Sequence, residues 1–336
     1  MSENANWPKR LIVNASIAAI LFLCFWYVFD IILLAFAGAL VAIILHACVD
    51  WVQRHTPKYI GPRLSYAATV LGFVILICLI GYWIVPRAIS EAGQIVQIIP
   101  QSVAQLTAHL DKTDWGRHVE HGAHQLMSGS NAGSRISTLT RDAATALEYT
   151  IVIVVVGLYG AFNAREYSNG LLRWIPEGQR QNFLKISRGV AYTLRWWLIG
   201  QLVPMVVLGI ASMIGLWALG VPLAFTLGLL TGVMIFIPYV GSWIAFIPTV
   251  LVSLTRGPQT AIYVTILYLV IHLLEGYVLT PIVQKRAVLV PPTLTILALL
   301  FMWKVSGLLG ASLATPIVAA SLALGKMLYL HKDVGH

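Results

Sequence analysis

Glu275 and Lys304 are ionisable side chains set inside long apolar runs, 259–281 and 293–325. Burying a charge that deep in a membrane is costly even on insertion scales, so such groups mark ion paths or ion pairs. Glu275, with His272 one turn earlier, is a candidate proton or cation site; the alternative is a structural pair or a helix-end group reaching the interface. Lys304 is a candidate ion-pair partner for Glu275 or a counter-charge for a substrate, unless its long stem lets it snorkel. Gln201 brings an amide into the run 196–219, where it can bond a solute or a neighbouring helix. Pro238, Tyr239 and Gly241 interrupt the run 222–254, and Gly307 and Gly310 interrupt the last one. Proline removes a backbone donor and clashes with the preceding turn. Helices that end at such places leave amides and carbonyls free to meet a small polar ligand or a cation; packing kinks are the alternative.

Other constellations carry less. His118, His121 and His124 recur every three residues in HVEHGAH, a spacing compatible with zinc, but Gly122 weakens the helix it needs. A solvated surface is the simpler reading. The three cysteines, Cys24, Cys48 and Cys78, all fall in apolar runs without metal or disulfide spacing. No phosphate-cradling loop and no nucleophile arrangement stands out, so we expect no enzyme activity, no cofactor and no metal.

The elements that must position these residues are apolar. The chain of 336 residues is 58% hydrophobic and 10% charged, against about 25% charged in soluble domains. Stretches long enough to cross a bilayer, about 20 residues each, recur along its length. The net charge of +9 therefore suits cytoplasmic loops better than nucleic acid. We expect spans at 11–30 and 31–50, with Asp30 at a tight reversal, then at 64–86, 147–162, 196–219 and 259–281. The polar segment 87–146 carries five basic and five acidic residues, whereas 163–195 carries six basic and two acidic. The first is expected outside and the second inside, with both termini cytoplasmic. The stretch 88–110 has apolar residues at helical spacing and needs an apolar partner, either a neighbouring subunit or the membrane surface.

The two remaining apolar stretches, 222–254 and 293–325, have 33 residues each. A helix of that length is about 50 Å long, while the hydrocarbon core is about 30 Å thick. Each can be one kinked helix or a hairpin that returns to its own side. A shift of 69 residues aligns them: Val221-Pro222 falls on Val290-Pro291, Thr226 on Thr295, Pro238 on Gly307 and Gly241 on Gly310. If both are hairpins, Lys285 and Arg286 fall on the basic, inner side and the two copies are inverted. Inverted repeats with broken helices point to a secondary transporter's binding site.

Gly200-Gln201-Leu202, Gly220 to Ala224, Ile237-Pro238-Tyr239-Val240-Gly241, the segment from Glu275 to Pro281 and the Gly307, Gly310, Pro316 tail resemble the autoinducer-2 exporter family of predicted permeases. The resemblance covers nearly the whole chain and is strongest over 171–320. It implies a multi-pass bacterial inner-membrane transporter with about eight membrane segments. It also implies export of a small signalling molecule or, in some members, sodium–proton antiport. Ser242 stands where the family often has proline, and Lys304 where it has a glycine-rich pair.

These readings combine into an all-α polytopic membrane protein with two broken, re-entrant-type stretches forming an inverted repeat in the C-terminal half. Its expected parts are membrane spans in 1–86, an extracytoplasmic segment 87–146, a span and basic segment 147–195, a transport core 196–325 and a tail 326–336. The expected function is a permease moving a small polar solute, with sodium–proton antiport as the alternative within transport. A membrane-embedded assembly or sensor protein is the alternative of another class. Expected partners are the solute or a cation, the bilayer and further copies of the chain.

Overall fold

The computed structural model describes residues 7–55, 62–84, 86–87, 90–91, 93–94, 132–279 and 290–330. The HVEHGAH histidines, Lys285, Arg286 and most of 88–110 lie outside the described residues. Among the described residues nine helices follow one another: α1 (Trp7–His55), α2 (Pro62–Leu79), α3 (Ala132–Phe162), α4 (Ala164–Arg173), α5 (Glu177–Ala218), α6 (Ala224–Met234), α7 (Gly241–Leu254), α8 (Pro258–Leu273) and α9 (Pro292–Leu330). α2 and α8 each continue as a π-helical segment, Ile80–Ile84 and Leu274–Leu279. Among the described residues there is no strand, and six helices are long and apolar enough to cross a membrane. The protein is an all-α polytopic membrane protein.

One expectation fails at the start. No reversal occurs at Asp30: α1 runs through it without a break. Between Lys9 and Ala37 there is neither glycine nor proline, so a single acidic side chain has no breaker to help it turn the chain. Trp7 and His55 therefore lie at opposite ends of one element. α3 packs along α1 where glycines let the backbones approach; a Cβ on Gly38 would strike Val156, and one on Gly157 would strike Val41. Tyr66 donates to the Ala161 carbonyl at 2.8 Å and ties α2 to α3. Arg195 donates to Asp50 at 2.6 Å and ties α5 to α1.

The two overlong stretches both reverse. After α5, Gly220 (φ 68°) and Leu223 (φ 61°) turn the chain, and α6 runs back antiparallel along α5. Thr231 of α6 lies level with Ser212 of α5, Gly232 with Gly209, and Phe236 beyond α6 with Trp197. The chain then turns again over residues 235–240 and α7 returns beside α6. In α9 the helix is broken at Ser306 (φ −132°, ψ 23°) and Gly307 (φ 55°, ψ −137°). The ends of this break fold together, because a Cβ on Gly310 would collide with the Met302 carbonyl. In a straight helix those positions would be about 12 Å apart.

α5 serves as a ruler for both hairpins. The mouth of the first lies at Leu216, whose carbonyl accepts from Val221. The far end of the second lies at Gly189, which abuts Met327. These two levels are about 40 Å apart along α5 at 1.5 Å per residue. The hairpins therefore come in from opposite ends of α5. Their tips share one core: Phe236 and Ile237 cluster with Leu299, Met302 and Ala311, against Leu194 and Trp197 of α5 and Leu33, Ala37 and Leu40 of α1.

Candidate functional site

At the first break the backbone is under local constraint. Val240 N–H donates to the Pro238 carbonyl at 2.8 Å, closing a γ-turn around Tyr239, whose φ is 66°. This positive-φ form is rare and strained. Gly241 follows because nothing larger fits: a Cβ there would run into the Met234 carbonyl. That same carbonyl accepts from Ile237 N–H at 2.9 Å. Tyr239 is half exposed (50%).

Gln201 meets this break from the side. Its Nε2 donates to the Ile235 carbonyl, one of the acceptors that the end of α6 would otherwise leave open. The structure thus brings Gln201, Pro238, Tyr239 and Gly241 together. Gln201 is six residues, about 9 Å, from Arg195 and eighteen residues, about 27 Å, from Leu219 along α5. Within the apolar run 196–219 the first break accordingly lies nearer the Arg195 end than the Leu219 end.

Gly307 and Gly310 form the second break, where Gly307 holds a conformation that only glycine adopts readily. Two hydroxyls nearby in sequence, Ser306 Oγ and Thr315 Oγ1, are buried without a hydrogen-bond partner. An unpaired buried hydroxyl is costly and is a natural contact for a polar ligand. Neither residue stood out in the sequence, where a lone hydroxyl in an apolar run gives no periodic signal. Lys304 is exposed on α9 and makes no ion pair with Glu275.

Glu275 is partly buried in the π-helical end of α8. One turn earlier, His272 Nδ1 is 3.0 Å from the Tyr268 carbonyl, and its ring stacks at a tilt on Trp243 of α7 with centroids 5.0 Å apart. Nδ1 donates to that carbonyl, so the neutral tautomer leaves Nε2 as an acceptor. Nε2 is buried with no hydrogen-bond partner. Tyr268, His272 and Glu275 lie at helical spacing along the inner face of α8.

At the head of this seam is a cluster that the sequence did not reveal. Tyr268 OH lies 2.6 Å from Thr231 Oγ1, 3.0 Å from Thr249 Oγ1 and 3.3 Å from Ser212 Oγ. All four side chains are at most 1% exposed. Thr231 and Thr249 also donate back to the Leu227 and Ala245 carbonyls of their own helices. Four helices, α5 to α8, are thereby joined through one hydroxyl. Below it Gly228 and Gly232 let α6 approach α5: a Cβ on Gly209 would lie 3.0 Å from Gly232 Cα. Among the described residues no group of histidine, cysteine and carboxylate side chains could hold a metal ion.

Residues 16–329 match the family described as AI-2E family transporter. Similar chains include sll0060 of Synechocystis, 27% identical over 83% of each chain, and YueF of Bacillus subtilis, 26% identical over 84% of this chain and 81% of that one. Both are provisionally named transport proteins. The AI-2 transport protein TqsA of Escherichia coli is 22% identical over 82% of this chain and 80% of its own. With the match running through both broken stretches, the chain belongs to the AI-2E transporter family.

Proposed function

We propose that the chain is a secondary transporter that carries a small polar solute across the bacterial inner membrane, with the two broken stretches as its binding region. The observation that carries this reading is the convergence of two hairpins, from opposite ends of α5, on one core. Broken helices in inverted repeats present half-helix ends to a ligand. Irregular backbone inside a membrane is tolerated only where it is buried in protein or lines a cavity. Ser306 and Thr315 add buried hydroxyls without partners at the second break. The relationship to an AI-2 transport protein supports a small polar signalling molecule such as autoinducer-2 as cargo. In this reading 87–146 is extracytoplasmic, the Arg195 end of α5 is cytoplasmic, and copies of the chain associate.

Glu275 and His272 favour coupling to a cation or proton, and sodium–proton antiport is the second reading they support. Flux in proteoliposomes tests both. Labelled autoinducer-2 should move when a proton or sodium gradient is imposed. Sodium movement driven by a proton gradient without that solute would select the antiport reading. Absence of both fluxes with folded protein would refute the proposal.

A further inference from the structure

The first hairpin lacks a cap of its own. Leu223, the residue before α6, has φ 61° and offers no side-chain hydrogen bond to the helix. Ala224, Phe225 and Thr226 therefore begin a helix whose N–H groups have no local acceptor. The structure brings one from 135 residues earlier in the chain. Thr226 Oγ1 donates to Glu91 Oε2, and the Thr226 backbone N–H also favours the carboxylate. Arg87 holds Glu91 from the other side, Nε to Oε1 at 2.9 Å, and its guanidinium lies 4.9 Å from the Phe225 ring centroid. The Glu91 side chain is 12% exposed and that of Arg87 62%.

We infer that Glu91 is a positioning residue for the first hairpin, capping α6 from the polar segment and so joining that segment to the broken stretch. A carboxylate at a helix N-terminus meets both open N–H groups and the positive end of the helix dipole. Arg87 contributes less by its own exposed ion pair than by fixing the Glu91 rotamer and covering Phe225. Burial pushes the Glu91 carboxyl up, but hydrogen bonds from Thr226 and the Arg87 guanidinium outweigh it and hold the group below its usual range. α6 carries no titratable side chain, and Arg87 is the charged group paired with Glu91 among the described residues. The sign follows: a lowered carboxyl pKa gives a cap that is present above the ordinary carboxylate range and lost as pH falls through the lowered value. The role in positioning rests on the transporter reading; the cap itself does not.

Hydrogen–deuterium exchange of the full chain in nanodiscs tests the cap without any substrate. Glu91→Ala should speed exchange in the first turns of α6 about fivefold, the effect of losing an ordinary cap of about 1 kcal/mol. The α7 arm should keep its protection. Glu91→Gln, which keeps an acceptor but cannot titrate, should give a smaller change. Corrected for intrinsic rates, protection of α6 in the native chain should hold through the ordinary carboxylate range, fall as pH drops beneath it, and stay flat in Glu91→Gln. Thr226→Val, a change on the other partner, should reproduce the loss if Glu91→Ala does not fold. Native protection in these variants, an equal rise in both arms, or an unaltered pH profile in Glu91→Gln would overturn the inference. A failed flux assay would leave the exchange result standing, so the two claims fail separately.

Discussion

Replacing Gly241 by alanine tests the geometry of the first break. The added methyl would collide with the Met234 carbonyl and lie 3.1 Å from the Ile235 amide nitrogen. Both obstacles are backbone, so no flexible side chain can swing aside. Overpacking of this kind costs about 1–3 kcal/mol. Moving the Met234 carbonyl also strains its 2.9 Å bond from Ile237, worth about 1 kcal/mol. The sum is about 2–4 kcal/mol, or about 4–8 °C of melting temperature at roughly 2 °C per kcal/mol for a large chain. Gly276→Ala is the control, since a Cβ there meets nothing within 4 Å and should change stability by less than about 0.5 kcal/mol. Tryptophan fluorescence melts in one detergent would compare the two with the native chain. A Gly241→Ala protein that melts within about 1 °C of native, or a Gly276→Ala protein that falls as far, would refute the reasoning.

Tyr268→Phe removes the hydroxyl shared by Ser212, Thr231 and Thr249; interhelical hydrogen bonds in membranes average about 0.6 kcal/mol, so about 1–2 kcal/mol should be lost. Adding Ser212→Ala should cost less than the sum of the single changes, because the two share one network, and denaturation in mixed micelles reads both. Glu275→Gln keeps shape and removes charge; it should abolish gradient-driven flux in proteoliposomes while leaving the melting temperature and the assembly unchanged. Native flux with native pH dependence in that protein would remove Glu275 from the mechanism.

How much of this was legible in the sequence depends on the range of the interaction. The breaks were visible because proline and glycine act on the backbone locally, and the shift of 69 residues paired Gly241 with Gly310, both of which abut a carbonyl across a reversal. Gln201 was singled out as an amide in an apolar run, although only the structure shows that it serves Ile235. Asp30 misled because one charge in a long apolar run suggests a boundary, yet a helix without glycine or proline there continues. The cluster around Tyr268 was invisible because its four hydroxyls come from four helices. Glu91 was hidden for the same reason, as its partner Thr226 is 135 positions away. For Lys304 the sequence left pairing with Glu275, a substrate counter-charge and snorkelling all open; depth alone does not give a side chain's direction, and on α9 Lys304 is exposed.

The most direct test of the central claim is the sidedness of the four ends of the two hairpins. Single cysteines at Ala218, Arg256, Thr293 and Lys326, all exposed positions, would be placed in a chain whose Cys24, Cys48 and Cys78 are replaced by serine. An impermeant thiol reagent is then applied to vesicles of each orientation. Two hairpins from opposite ends predict that positions 218 and 256 react from one side and 293 and 326 from the other. Labelling of 218 and 256 from opposite sides, or of all four from the same side, would contradict the account.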